Sequence, residues 1–394
     1  MEILKRFKPN ILVNSFWLLP RNIEFMEHKK HPLLSPSVGT QRYVDSFHFG
    51  QAGGKKVYIQ SSLHADELPG MFVVWKLKQA LKVLEDDGLI EGELVLVPVA
   101  NPIGQNQHLM DLHLGRYETE SGQNFNRGYF DAYAAIQETI GDKLTDSPEQ
   151  NLLIIREAIK RSLDSWSVST EFHSLQKHLQ LMSYDADILL DLHCDFEAIL
   201  HFYATEYSWG QIEPLARMMG SKMNLLADET GGAPFDCHND TVWLKLKETF
   251  GEVIPQGNAA ATLELRGQMD VTDELSSQDS MAIINYLSFL GVVKKDSGAL
   301  PDECATSSPL EAVETPTASQ AGLVNLKVKP GEVIEKGAIF AEIIDPITDA
   351  VDNVRASQSG LVYSTTNRKV ATAGMLLGNV AGKVRVRKGY LLAP

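Results

Sequence analysis

The chain has 394 residues, 44% hydrophobic and 22% charged, a globular composition long enough for two or three domains. Its formal charge of −15 argues against a broad nucleic-acid surface, since phosphates require clustered Lys and Arg, yet leaves room for a small anion held by local arginines. Three cysteines, Cys194, Cys237 and Cys304, are odd in number and far apart. They suggest neither a disulfide framework nor a Cys-rich metal site, and they fit a reducing cytoplasm. No run of about 18 apolar residues occurs, so neither a membrane-spanning helix nor a membrane partner is expected.

Near the N-terminus, Lys5, Arg6 and Lys8 precede Ile11, Leu12 and Val13. The order mimics a signal peptide, but Asn14 and Ser15 interrupt the apolar stretch and no small-residue cleavage site follows closely, so it reads as structure. Residues 56–60 predict a strand. Val73, Val74, Leu77, Leu81 and Leu84 form a helical stripe over 70–84. Residues 93–99 predict a buried strand that ends at Asn101-Pro102. The polar stretch 105–127 is too irregular for regular structure. Helical patterns follow over 148–181, strands near 186–192, 198–204 and 260–265, and a helix over 280–290. Strands alternating with helices predict an α/β layer fold, whose sites form beyond the carboxyl ends of the strands. His64 and His193 both lie there.

Composition changes after Val293. Residues 296–318 are rich in Ser, Pro, Thr, Ala and acids, the signature of a linker. Beyond it an approximate repeat sets Gly322-Leu323-Val324, Val333 and Gly337 against Gly360-Leu361-Val362, Val370 and Gly374. Two such halves predict a small β-sandwich with quasi-twofold symmetry. The division expected is therefore 1–295, a linker 296–318, and a sandwich 319–394. The tail resembles the biotinyl/lipoyl carrier folds, which present a modified lysine on a hairpin. Here Asp349 takes that place and no lysine lies between Lys336 and Lys369. The expectation is a role in packing, in oligomerisation as a homo-oligomer contact, or in shaping an active-site entrance.

The chemistry-bearing residues sit at the strand ends. His64 and Glu67 are three apart after the strand at 56–60, His193 closes the strand at 186–192, and Glu264 lies in the strand at 260–265. Two histidines and a glutamate are a catalytic zinc ligand set with one position open for water, and a further glutamate suits a proton shuttle. Alone, His64-x-x-Glu67 also fits a plain helix start with acids against the dipole. Its association with His193 and Glu264 on other strands shifts the balance.

With Asn101-Pro102, Arg116, Asn126-Arg127 and Asp191-Leu192-His193 in the same order, the stretch from about 55 to 270 resembles the succinylglutamate desuccinylase/aspartoacylase family of the zinc carboxypeptidase superfamily. The resemblance implies a three-layer α/β catalytic domain with a mixed sheet. It implies one Zn²⁺ held by His64, Glu67 and His193, with Glu264 moving the proton and Arg116 against the scissile carbonyl. Asn126 and Arg127 would hold the carboxylate of a small acyl amino acid. The sequence departs from the family at Asn124, where an aspartate usually orients a zinc-bound histidine, and at Cys194-Asp195 after His193.

Other polar residues have plainer readings. His108 and His113 read as polar-loop residues, His173 and His178 as surface positions, and His201 as a core strand histidine. Asp191, in phase with His193, supports it or the fold. Arg266, in phase with Glu264, contacts an acyl group or neutralises that glutamate. Cys194 points away from the site. Residues 231–238 form a pocket loop or a plain turn. Three functions follow in order: a zinc-dependent deacylase, a metallocarboxypeptidase acting on peptides, and a non-catalytic zinc-binding protein.

Overall fold

The structure is a computed structural model that describes residues 26–228, 230–302, 307–389 and 391–392. The basic N-terminal stretch and Cys304 lie outside the described residues. Nine strands make one mixed sheet: β1 (Glu27–Pro32), β2 (Tyr43–Gly50), β3 (Lys56–Ser61), β4 (Glu93–Val97), β5 (Ile188–Asp195), β6 (His201–Ala204), β7 (Met223–Leu226), β8 (Ala259–Gly267) and β9 (Ser307–Pro309). Their order is β1-β2-β4-β3-β5-β8-β6-β7-β9. The central pairs β4–β3, β3–β5 and β5–β8 are parallel, and β6 reverses against β8. The parallel strands are buried on both faces, which explains their continuous apolar runs.

Seven helices pack around the sheet: α1 (Pro69–Asp86), α2 (Ala132–Ile140), α3 (Pro148–Ser165), α4 (Glu171–Ser183), α5 (Glu206–Met219), α6 (Phe235–Phe250) and α7 (Asp273–Phe289). Helices α1, α5 and α7 join Ile59, Leu190 and Leu263 in a core on one face. Helix α4 and the start of α6 join Tyr58, Leu189 and Ala260 on the other. Each buried Leu or Ile side chain contributes about 1.5–3 kcal/mol, so these two layers hold the sheet ends in place. The helical span at 148–181 divides after Ser165, where Thr170 caps α4 by accepting from His173 N–H at 3.1 Å. Helix α7 starts at Asp273, before the apolar stripe that marks it in sequence, because Thr272 caps it there.

The C-terminal part forms two small antiparallel sheets over one core that includes Phe340, Ile343, Val362 and Val380. Each half of the repeat lends its short strand, Val333–Ile334 or Val370–Ala371, to the other half's sheet. The connecting span is tied at both ends. Ser307–Pro309 adds the parallel edge strand β9 to β7, and Val313–Glu314 pairs with the tail strand Gly378–Ala381. Glu197–Ala198, just after β5, pairs with Ser364–Thr365 of the tail. The two parts therefore share backbone hydrogen bonds next to His193. No helix among the described residues is long and apolar enough to cross a membrane.

Candidate metal centre

The loop from β3 to α1 carries His64 and Glu67. Pro69 starts α1, and Glu67 N–H donates to His64 O at 3.1 Å, a turn that sets both side chains together. Two contacts pin this loop. Asn101 Nδ2 donates to Leu63 O at 2.9 Å, and Ala65 N–H donates to Gly115 O at 3.0 Å. A Cβ at Gly115 would lie 2.1 Å from Asp66 N, so only glycine allows this approach. Strand β5 delivers His193 from the other side. Among the described residues these three form the one group of His, Cys, Asp and Glu side chains placed to hold a metal. Their ligand atoms lie within 4.8 Å of one another, and all three residues are buried.

The histidine hydrogen bonds indicate what belongs there. His64 Nε2 lies 2.9 Å from Asn124 Oδ1, which also accepts from Asn126 N–H at 2.9 Å. An amide oxygen only accepts, so Nε2 carries the proton and Nδ1 of the neutral ring presents a lone pair. That lone pair faces Glu67 Oε1 at 2.9 Å. His193 repeats the pattern: Nδ1 faces Glu67 Oε2 at 2.7 Å, and Nε2 lies 3.0 Å from Asp191 Oδ2, off the hydrogen-bond axis. Two nitrogens turned onto one buried carboxylate need a cation or protons between them. Burial first, then Arg116, pushes His64 down to about 4. Burial opposes charge on His193 as well, but Asp191 and Glu67 outweigh it and hold the ring above its usual range. The N, N, O donor set with outward oxygens on both rings fits a zinc-type ion.

Strand register sets the remaining groups. Glu264 lies directly between His193 on β5 and His201 on β6, and Thr262 between Asp191 and Tyr203. Behind them Tyr58 donates to Gln60 at 2.8 Å, and Gln60 donates to Asp191 Oδ1 at 3.0 Å. Glu264 Oε2 is buried without a partner, and burial followed by Glu67 raises its carboxyl well above the usual range. Arg116 lies against the centre, 3.1 Å from His64 Nδ1 and 3.4 Å from Glu67 Oε1.

A cavity of about 380 Å³ opens on this group. His64, His193, Arg116, Asn126, Arg127 and Glu264 all line it, as does Cys194. Arg127 Nη1 donates to Asn126 O at 2.7 Å, and Asn126 Oδ1 accepts from Phe235 N–H at 2.7 Å. The loop 231–234 therefore folds over Arg127, and residues 235–238 open helix α6. His238 turns away to the Phe130 carbonyl. Sequence reasoning, which offered the tail a part in shaping the entrance, named none of the residues of the opposite wall, where the tail supplies Tyr363, Thr365, Asn379 and Arg387. Tyr363 and Tyr203 bring their hydroxyls to 3.3 Å across the two parts. No short motif marks such residues.

Arg266 lies away from the centre, and the remaining histidines follow their plainer readings. Arg266 does not share the face of Glu264: its φ of +70° at a β-bulge breaks the alternation, and it forms a bidentate pair with Asp279 at 2.8 and 3.0 Å. His108 and His113 stack on a hairpin at 4.5 Å. His178 bonds Pro32 O, and His173 caps back to Thr170. His201 is buried, with Nδ1 on Ile199 O and Nε2 without a partner.

The family model of the succinylglutamate desuccinylase/aspartoacylase catalytic domain matches residues 53–290, which contain His64, Glu67, Arg116, His193 and Glu264. The chain belongs to the succinylglutamate desuccinylase/aspartoacylase family. A family protein of Shewanella amazonensis SB2B is 25% identical, with a TM-score of 0.78 over 91% of this chain and 99% of its own. A second protein assigned to the family, from Shewanella frigidimarina NCIMB 400, is 24% identical, with a TM-score of 0.80 over 90% and 97%. The ectoine utilization protein EutE of Ruegeria pomeroyi shares the fold at 16% identity and a TM-score of 0.64, over 91% and 95%. No curated protein matches the chain. Family membership supports a hydrolase acting on acyl amino acids.

Proposed function

We propose that this family member is a zinc-dependent hydrolase that removes the acyl group from a small N-acyl amino acid. The observation that carries the reading is the pair of buried imidazoles turned by Nδ1 onto one glutamate, beside a second glutamate with an unfilled oxygen. His64, Glu67 and His193 would hold the ion. When bound, zinc supplies Lewis acidity that activates water and polarises the amide carbonyl.

The chain's own groups do the rest. Glu264, with its carboxyl raised by burial, takes a proton from the attacking water on its carboxylate and returns it to the leaving amine nitrogen. No side chain forms a covalent acyl-enzyme in this scheme. The Arg116 guanidinium faces the charge that grows on the carbonyl oxygen. Arg127, steadied by the Asn126 carbonyl, pairs with the substrate carboxylate, and Asn126 holds the loop that covers it. The tail wall narrows the cavity, which favours a small amide over a peptide laid in an open groove.

The test is amine release from a panel of N-acyl amino acids and C-terminal peptides, with and without a zinc chelator. Chelator-sensitive release from acyl amino acids is expected. Release from peptides alone would move the protein to the carboxypeptidase reading, and no release with zinc bound would leave a binding role.

A further inference from the structure

Asp236 is a polar group that the chemistry above does not use. It lies in the first turn of α6 and lines the same cavity as Arg127, Thr262 and Cys237. The residue is 3% exposed. The Cys237 backbone N–H and the Thr262 side chain bond the carboxyl, yet Oδ1 is buried with no partner. An unfilled carboxylate oxygen in a buried wall carries a desolvation cost that no fold contact offsets. The loop before it has three consecutive residues at positive φ, Gly231, Gly232 and Ala233, and packs on the Arg127 side chain. That backbone sets Arg127 and Asp236 in one wall.

We infer that the amine half of the substrate carries a hydrogen-bond donor on its side chain, an ammonium foremost, which Asp236 receives while Arg127 holds the α-carboxylate. The inference rests on the deacylase reading for Arg127. An aspartate χ2 torsion is broad, so a small rotation turns Oδ1 to the cavity. A carboxylate side chain on the substrate meets a like charge there, and an apolar one leaves Oδ1 unfilled. A site built around a buried polar group discriminates in this way more sharply than an apolar pocket.

The experiment compares binding of L-ornithine, L-norvaline and L-glutamate to the zinc-loaded protein by calorimetry, alongside turnover of their Nα-acetyl derivatives. Wild type and Asp236→Asn are measured together, with circular dichroism to confirm that the variant is folded. Ornithine is expected to bind about tenfold or more tightly than norvaline, with glutamate weakest, and Asp236→Asn to remove the preference. Equal binding of ornithine and norvaline, tightest binding of glutamate, no binding of any of the three, or an unchanged preference in the variant overturns the inference. Preference in binding without turnover of any acyl substrate would overturn the deacylase reading and leave the role of Asp236 standing. Turnover with an acidic preference would do the reverse.

Discussion

Asn124 Oδ1 accepts both the Asn126 backbone N–H and His64 Nε2, each at 2.9 Å. One amide oxygen thus shapes the loop and selects the tautomer of an imidazole in the candidate metal centre. It does so without the charge that a carboxylate would add. Asn124→Asp keeps the acceptor and raises the basicity of His64, so zinc affinity is expected to rise by about tenfold. Competition with a chelator measures it. Unchanged affinity would mean that orientation alone, not charge, is what the ring requires.

Glu264→Gln retains size and replaces the carboxylate that takes and returns the proton with an amide that cannot. Turnover is expected to fall about 10²–10⁴-fold while metal content, read by elemental analysis, stays at the wild-type level. Retained turnover would remove Glu264 from the proton path.

Zinc uptake should release protons. In the metal-free protein Asp191 and Glu67 outweigh burial and keep His193 protonated above its usual range. Zinc needs Nδ1 bare, so binding expels that proton and weakens as pH falls. Calorimetry in buffers of different ionisation enthalpy reads the number released, and a pH-independent affinity would contradict the assignment.

Asp240 carries a pH signature of its own. Burial raises its carboxyl from an ordinary 3.8 to about 8, against hydrogen bonds from Ser208 at 2.6 Å and Thr205 at 2.5 Å. The folded state binds this proton more tightly than the unfolded state. The stabilising contribution is therefore complete below about pH 4 and is lost as pH rises through 8. Melting temperature should decline across that window, and Asp240→Asn should flatten the decline.

Gly232→Ala tests the cover over Arg127. The residue has φ +73°, and a Cβ there would meet Arg127 Cδ at 2.7 Å. The expected result is a KM raised about tenfold with kcat changed less, because an interaction common to ground and transition states is displaced.

The central strands were readable because parallel strands buried on both faces are continuous apolar runs, as in Ile188–Leu192. The edge strands Glu27–Pro32 and Tyr43–Gly50 were not: the first is rich in histidine and lysine, and Asp45, Ser46 and His48 break the apolar alternation of the second. Helix α6 escaped notice because Asp236, His238 and Asp240 are buried among its apolar residues and blur the stripe. The residues that meet at the centre carry chemical types that sequence displays. Their register does not: Glu264 reaches His193 and His201 through pairing across distant strands, and one positive φ at Arg266 undoes an alternation that looks regular on paper.

The hydrogen-bonded seam between Glu197–Ala198 and Ser364–Thr365 joins the segment just after the strand that carries His193 to the wall facing it. Truncating the tail would not simply shorten the protein; it would unroof the cavity and expose the rim beside His193. The same seam separates two kinds of inheritance. Substitutions in the last quarter of the chain can remodel the cavity's outer wall while the buried His64, Glu67 and His193 stay untouched.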